Sequence, residues 1–364
     1  MKRGNTVITQ QIPNIKTPLT KTPQRLRSLG LMGLLTLLLT ASVLLSLALG
    51  SVKIPVQEVV KILLAGEATQ ATWQDIIFQF RLPKALTAAF SGAGLAVSGF
   101  LIQTLFRNPL AGPSLLGINA GASLGVAVVV LTVGTTRSSN LLAGLGFAED
   151  IGIVMAASLG AAAAMGVVMI VAQRVRSNLA LLIFGLMFGY TTTALVTILL
   201  HFSLVERLQA YLSWTFGSFS GVTWTQMQIF IPVLLLGLVI AQSLASRLNL
   251  LLLGEEHALS LGLAVRPTRA LIITSIALLA GTVTAFCGPI AFLGIAVPHL
   301  CRSLFRTLDH QLLIPANALM GATLALFADA LAQMPSQDVV LPLNAVTALL
   351  GAPIITWLIL RRQR

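Results

Sequence analysis

"ALTAAFSGAGLAVSGFLIQTLFRNPLAGPSLLGINAGASLG", Ala85 to Gly125, joins two long apolar runs through one polar turn, Arg107 to Pro113. A helix that crosses hydrocarbon needs about 20 predominantly apolar residues, and this stretch offers two such segments in succession. Pro109 and Pro113 end the first helix and turn the chain, because proline lacks the N–H a helix needs and restricts the residue before it. Similar runs recur throughout the chain. Of 364 residues, 56% are hydrophobic and 9% charged, where a soluble domain carries about 25% charged residues. The spans fall at about 30–50, 83–105, 113–134, 150–172, 179–203, 226–246, 269–287, 290–305, 313–333 and 343–360. They are too long and too continuous for the alternating ten-residue strands of a barrel, so the expected fold is an all-α integral membrane bundle of about ten transmembrane helices.

Charge gives this bundle an orientation. Ten spans put both termini on one side, and that side receives 17 of the 23 lysines and arginines. The positive-inside rule makes it the cytoplasm. The net charge of +12 is thereby explained without nucleic acid. Residues 1–28, basic and punctuated by proline, read as a flexible cytoplasmic tail, and 29–364 as a single transmembrane domain in contact with membrane lipid. The longest connection on the opposite side, Ser51 to Leu82, contains "IPVQEVVKILL", whose helical apolar spacing predicts a short helix on the membrane surface.

Small residues show where helices meet. Gly117, Gly121 and Gly125 recur every fourth residue, Gly185 and Gly189 repeat the spacing, and Gly92, Gly94 and Gly99 crowd the second span. In lipid, such faces let backbones approach and replace the missing hydrophobic drive between helices. They do not form a nucleotide loop, since no strand precedes them and no lysine follows.

Chemistry of the enzymatic kind has no foothold in these residues. The chain contains no "GxxxxGK[ST]" or "HExxH" pattern, and its "GxSxG" match, Gly121 to Gly125, lies inside an apolar helical run with no strand before it and so is no nucleophile elbow. No catalytic residue is assigned, no cofactor is expected, and nucleotide hydrolysis by a P-loop of its own is excluded. Cys287, Cys301 and His299 fall short of a metal site. Ionisable residues inside the bilayer would mark an ion-coupled carrier. The main candidate, Asp329 near the outer end of the ninth span, is expected to pair with a neighbouring helix. A path lined by neutral groups and powered from outside the chain is the simpler expectation.

The segment that would receive that power is "SRLNLLLLGEEHALSLGLAVRPT", Ser246 to Thr268. Within it, "GEEHALSLGL" predicts a short helix with Glu255 and Glu256 in its first turn, where carboxylates suit the positive helix end, and with Gly262 as its stop. Leu253, Ala258, Leu261 and Leu263 form its apolar side. A protruding apolar helix in a polar loop is a docking knob. The alternative is a helix lying on lipid, and the lack of Lys or Arg between Arg247 and Arg266 speaks against it.

Six stretches together carry a family resemblance: "RLPK" (81–84), residues 92–125 as quoted above, "LGEEHALSLGL" (253–263), "GPIAFLGIAVPHLCR" (288–302), "IPANALMGATLALFADALA" (314–332) and "LPLNAVTALLGAPIITWLI" (341–359). They resemble, in order, the FecCD family, permease subunits of bacterial ABC importers for iron(III)-siderophores and cobalamin. The resemblance implies a type II importer permease bundle in the bacterial inner membrane and a second permease subunit in a homo- or heterodimer. It also implies two cytoplasmic ATPase subunits and a periplasmic or lipoprotein substrate-binding protein. It places Arg81 and Lys84 at the outer mouth as docking cations for the binding protein, and Gly254, Glu255, Glu256, Ala258, Leu261 and Gly262 at the ATPase-coupling helix. Leu110 and Asn178 fall at an inner gate. Gln333 stands where related permeases often carry an arginine that faces the binding protein. "PSLLGINAGA" and "CGPIAFLGIAVPH" are more similar to siderophore and ferric citrate permeases than to cobalamin ones, so an iron(III)-siderophore is the expected cargo. Cobalamin or haem import, and ion-coupled secondary transport, are the alternatives.

Overall fold

The computed structural model describes residues 21–50, 52–66, 69–133, 149–175, 177–333 and 340–362. Fourteen helices follow one another in the described residues, with no strand among them. They are α1 (Lys21–Ala48), α2 (Val56–Ala65), α3 (Ala71–Leu105), α4 (Ile118–Leu131), α5 (Glu149–Arg174), α6 (Asn178–His201), α7 (Val205–Thr215), α8 (Trp224–Ser243), α9 (Ala245–Leu252), α10 (Glu255–Ser260), α11 (Val265–Cys287), α12 (Leu293–Phe305), α13 (His310–Ala332) and α14 (Leu343–Arg362). Seven are long and apolar enough to cross a membrane, and α4, α12 and α14 are shorter apolar helices. Together they match the ten expected spans.

Several boundaries differ from expectation for identifiable reasons. Helix α1 begins at Lys21, so Lys21 to Ser28 extend the first span into what reads as tail; residues 1–20 lie outside the described residues. Helix α3 starts at Ala71, a full turn and more before Arg81, so "RLPK" is interior to a helix and not a loop ahead of one. A π-helical stretch over Ile76–Arg81 precedes Pro83, whose nitrogen has no proton to donate to the turn before it. The eighth span is helical only from Leu293. Residues 288–292 are non-helical before it, with Gly288 and Phe292 at positive φ, and are anchored where the Ala291 amide donates to Asn344 Oδ1 at 3.2 Å. Helices α7 and α9 were not expected at all; both are short and lie between spans.

Helix α3 is the axis of the bundle. Within its apolar window 83% of residues are buried, against 17% for α1 and 22% for α6, which lie at the periphery. Alanine and glycine permit this crowding. A Cβ built on Gly92 would stand 2.2 Å from the Gly321 carbonyl oxygen, and one on Gly321 would stand 2.3 Å from that of Gly92, so α3 and α13 touch backbone to backbone. Gly121 and Gly125 of α4 meet α5 near Gly160 and Ala156 in the same way. Gly189 differs: nothing lies within 4 Å of its notional Cβ, so it is not a packing glycine within this chain.

The bundle has two ends. At the α2 end are the last turn of α1, the first turns of α3 and α8, and the last turn of α13. There the Trp224 indole N–H donates to the Phe78 carbonyl at 2.9 Å, fixing α8 to the π-helical stretch of α3. At the α10 end are the last turn of α3 and the first turns of α6, α11 and α13.

Candidate functional site

At the α2 end, Arg81 and Lys84 point into one open cavity of about 770 Å³, whose wall also includes Phe80, Trp224 and Gln333. Both cations already have partners. The last carbonyls of a helix have no intrahelical donor, and Arg81 supplies one: Nη1 donates to Leu47 O at 2.6 Å and Ala48 O at 3.0 Å, while Nη2 donates to Val52 O. Arg81 is thus the clasp that closes the end of α1 against α3. Lys84 Nζ lies 3.1 Å from Asp329 Oδ1. Gln333 Nε2 donates to Asp329 Oδ2 at 2.7 Å. Asp329 therefore pairs with a neighbouring helix, and Gln333 is turned toward that buried carboxylate.

At the α10 end the knob has the expected helix, Glu255–Ser260, bounded by Gly254 at φ +116° and Gly262 at φ +84°. Only glycine adopts such angles without strain. The apolar side divides in two. Ala258 is fully buried and Leu263 folds back, its amide donating to Ala258 O at 2.9 Å. Leu253, Leu259 and Leu261 face outward with 57–61% of their surface exposed. Leu259 is a member that spacing missed; it follows Ala258 directly, and a helix too short to bury a second face leaves it outside. Glu256 is exposed, whereas Glu255 turns back into the bundle.

Glu255 Oε1 accepts from Asn178 Nδ2 at 2.7 Å and from Arg269 Nη2 at 2.9 Å. Asn178 Nδ2 also donates to Leu105 O at 3.0 Å, and Arg269 Nη1 donates to Val175 O at 3.0 Å. Nearby, Arg107 Nη2 donates to Leu251 O at 2.9 Å. The structure thus joins a residue expected in the coupling helix, Glu255, to one expected in the gate, Asn178. Leu110, the other expected gate residue, stands 47% exposed on the turn after α3, its amide bonded to Asn108 Oδ1.

A third feature lies between α4, α6 and α7: a trough of about 350 Å³ lined in part by Ser114, Asn119, Ser123, Tyr190, Thr193 and Tyr211. None of its lining side chains is charged. Asn119 Oδ1 accepts from Thr284 Oγ1 at 3.0 Å, which orients the amide. Burial pushes the Tyr211 phenol up from its ordinary pKa, and a hydrogen bond with Ser123 opposes that shift. The signal was present in sequence as polar residues spaced i, i+4 (Asn119, Ser123) and i, i+3 (Tyr190, Thr193) on otherwise apolar helices, a spacing that puts each pair on one face.

Elsewhere, His299 Nε2 lies 2.8 Å from Pro109 O, tying α12 to the proline turn. Cys287 and Cys301 are buried thiols.

Among the described residues, seven helices long and apolar enough to span a membrane, three shorter apolar ones and close-packed glycine seams define a multi-pass membrane bundle. The chain belongs to the FecCD transport family, which matches residues 38–361, and it is an ABC importer permease. Among its relatives, the vitamin B12 import system permease protein BtuC of Klebsiella pneumoniae is 37% identical over 330 residues, 90% of this chain and 93% of that one. BtuC of Salmonella typhimurium is 36% identical over 302 residues, 82% of this chain and 88% of its own. A solved structure described as an inward-facing conformation of a metal-chelate type ABC transporter is 32% identical and superposes with a TM-score of 0.78, covering 91% of this chain and 99% of that one.

Proposed function

We propose that this chain is half of the membrane path of a bacterial inner-membrane importer for a metal chelate. It works with a second permease subunit, identical or not, two cytoplasmic ATPase subunits and a periplasmic or lipoprotein binding protein. The observation that carries this reading is the exposed Leu253, Leu259 and Leu261 face of the α10 knob, apolar surface that needs a protein partner at the end where cations accumulate. Both termini lie in the cytoplasm on this reading, and the α2 end faces outward. The path does no covalent chemistry; its neutral lining lets a bulky cargo pass without being held.

Cobalamin is the cargo we propose first, because the BtuC proteins named above are vitamin B12 permeases matched along most of this chain. An iron(III)-siderophore is the second reading, carried by the likeness of "PSLLGINAGA" and "CGPIAFLGIAVPH" to siderophore permeases. Uptake of radiolabelled cobalamin and of radiolabelled ferric chelates by cells with and without the gene decides between them. Loss of cobalamin uptake alone supports the first, loss of a ferric chelate alone supports the second, and no loss of either refutes chelate import.

A further inference from the structure

We infer that Asn178 is the positioning residue through which movement of the α10 knob reaches α6 and its side of the trough. The inference rests on the importer reading above and assigns a part within it.

The bond pattern at the α10 end is asymmetric. Helix α10 has only six residues between two glycines at positive φ, so it moves as one piece, and Glu255 is the side chain by which it grips the bundle. One grip is an ion pair to Arg269, whose side chain is 7% exposed. A buried charge is not easily separated from its partner, so Glu255 and α11 are expected to move together. The other grip is the 2.7 Å bond from Asn178. Asn178 is the first residue of α6, and its second amide proton goes to Leu105 O at the end of α3. One neutral side chain thus holds the start of α6 to both the static axis of the bundle and the mobile knob.

Helix α6 is free to respond. It is among the least buried spans, and it carries Tyr190 and Thr193 of the trough. At a helical rise of 1.5 Å per residue, Tyr190 lies about 18 Å along the axis from Asn178. A tilt set at Asn178 is therefore delivered to the trough as a lever displacement. Displacing Glu255 pulls α6 by a charge-assisted bond, the stronger class of hydrogen bond, against a neutral bond to Leu105.

The test uses the complete transporter, with permease, ATPase and binding protein, in proteoliposomes supplied with the cargo identified by uptake. Asn178→Ala, Glu255→Ala and the double variant are compared by cargo imported per ATP hydrolysed. Loss of one charge-assisted bond predicts a fall of about tenfold in that ratio for Asn178→Ala, with ATPase still copurifying in the wild-type proportion, and Glu255→Ala, which also removes the ion pair to Arg269, should fall at least as far. The double variant is expected to be no worse than the lower single, because both remove one link. Asn178→Gln, which keeps both donors, should recover part of the ratio. An unchanged ratio in Asn178→Ala, or single effects that multiply in the double variant, overturns the inference. Should Asn178→Ala fail to fold, Asn178→Ser serves the same comparison. Failure of the importer reading is separately visible, since the wild-type chain would then not import in an ATP-dependent way.

Discussion

Lys84 and Asp329 form an ion pair across α3 and α13, 3.1 Å apart, in which the carboxylate side chain is only 6% exposed and the ammonium 19%. Removing the lysine leaves a buried carboxylate with Gln333 as its remaining side-chain donor. Breaking such a pair by deleting one partner costs about 3–5 kcal/mol. Lys84→Met should therefore lower the melting temperature in detergent clearly, whereas Lys84→Met with Asp329→Leu should restore most of it. Equal losses in the two variants would show that the pair is not what holds this end together.

The same pair bears on docking. If the α2 end receives a binding protein, an acidic side chain of that protein must compete with Asp329 for Lys84 and with backbone carbonyls for Arg81. Gln333→Arg offers Asp329 a second cation and releases Lys84 toward the partner. Its expected effect is a several-fold tighter association, larger at low ionic strength, because exposed charges are screened over about 10 Å at 0.1 M salt. Binding measured at two salt concentrations checks this, and no change in affinity would count against Lys84 as a docking cation.

Close packing of α3 on α13 makes a sharper comparison. Gly92→Ala must push a methyl into the Gly321 carbonyl, and Gly189→Ala meets nothing within 4 Å. The first should cost roughly 1–3 kcal/mol as overpacking, and the second should be neutral or slightly stabilising through helix propensity. Thermal unfolding of the two purified variants separates them.

The knob is best probed on its outward face. Leu259→Asp with Leu261→Asp changes two exposed side chains and leaves Ala258, Gly254 and Gly262, which shape the segment, untouched. The chain should remain folded and lose its ATPase on affinity purification. Retention of the ATPase would assign docking to another surface.

Much of this organisation is legible in the sequence, and the illegible remainder has a common cause. Spans follow from apolar length, the knob from glycines flanking a short acidic helix, and the seams from glycine at every fourth position. Each of these is local. The junction at Glu255 joins residues 77 apart in the chain, and no period encodes that. Asp329 reads as a paired residue because an isolated carboxylate cannot stay charged in hydrocarbon, yet its partner lies on another helix far away in sequence. Arg81 is a docking cation by family resemblance, and the three carbonyls to which it donates in this chain are not visible in sequence. The half-helix at Leu293 escaped because hydropathy sees an apolar run and not Phe292, which sits at φ +65° where the helix begins.

The most direct measurement is transport by purified components in sealed vesicles. With permease, ATPase, binding protein and ATP present, labelled chelate should accumulate against its gradient. With the permease alone, under an imposed proton gradient and without ATP, accumulation should be absent. Uphill uptake by the permease alone would contradict the conclusion that this uncharged path is driven from outside its own chain.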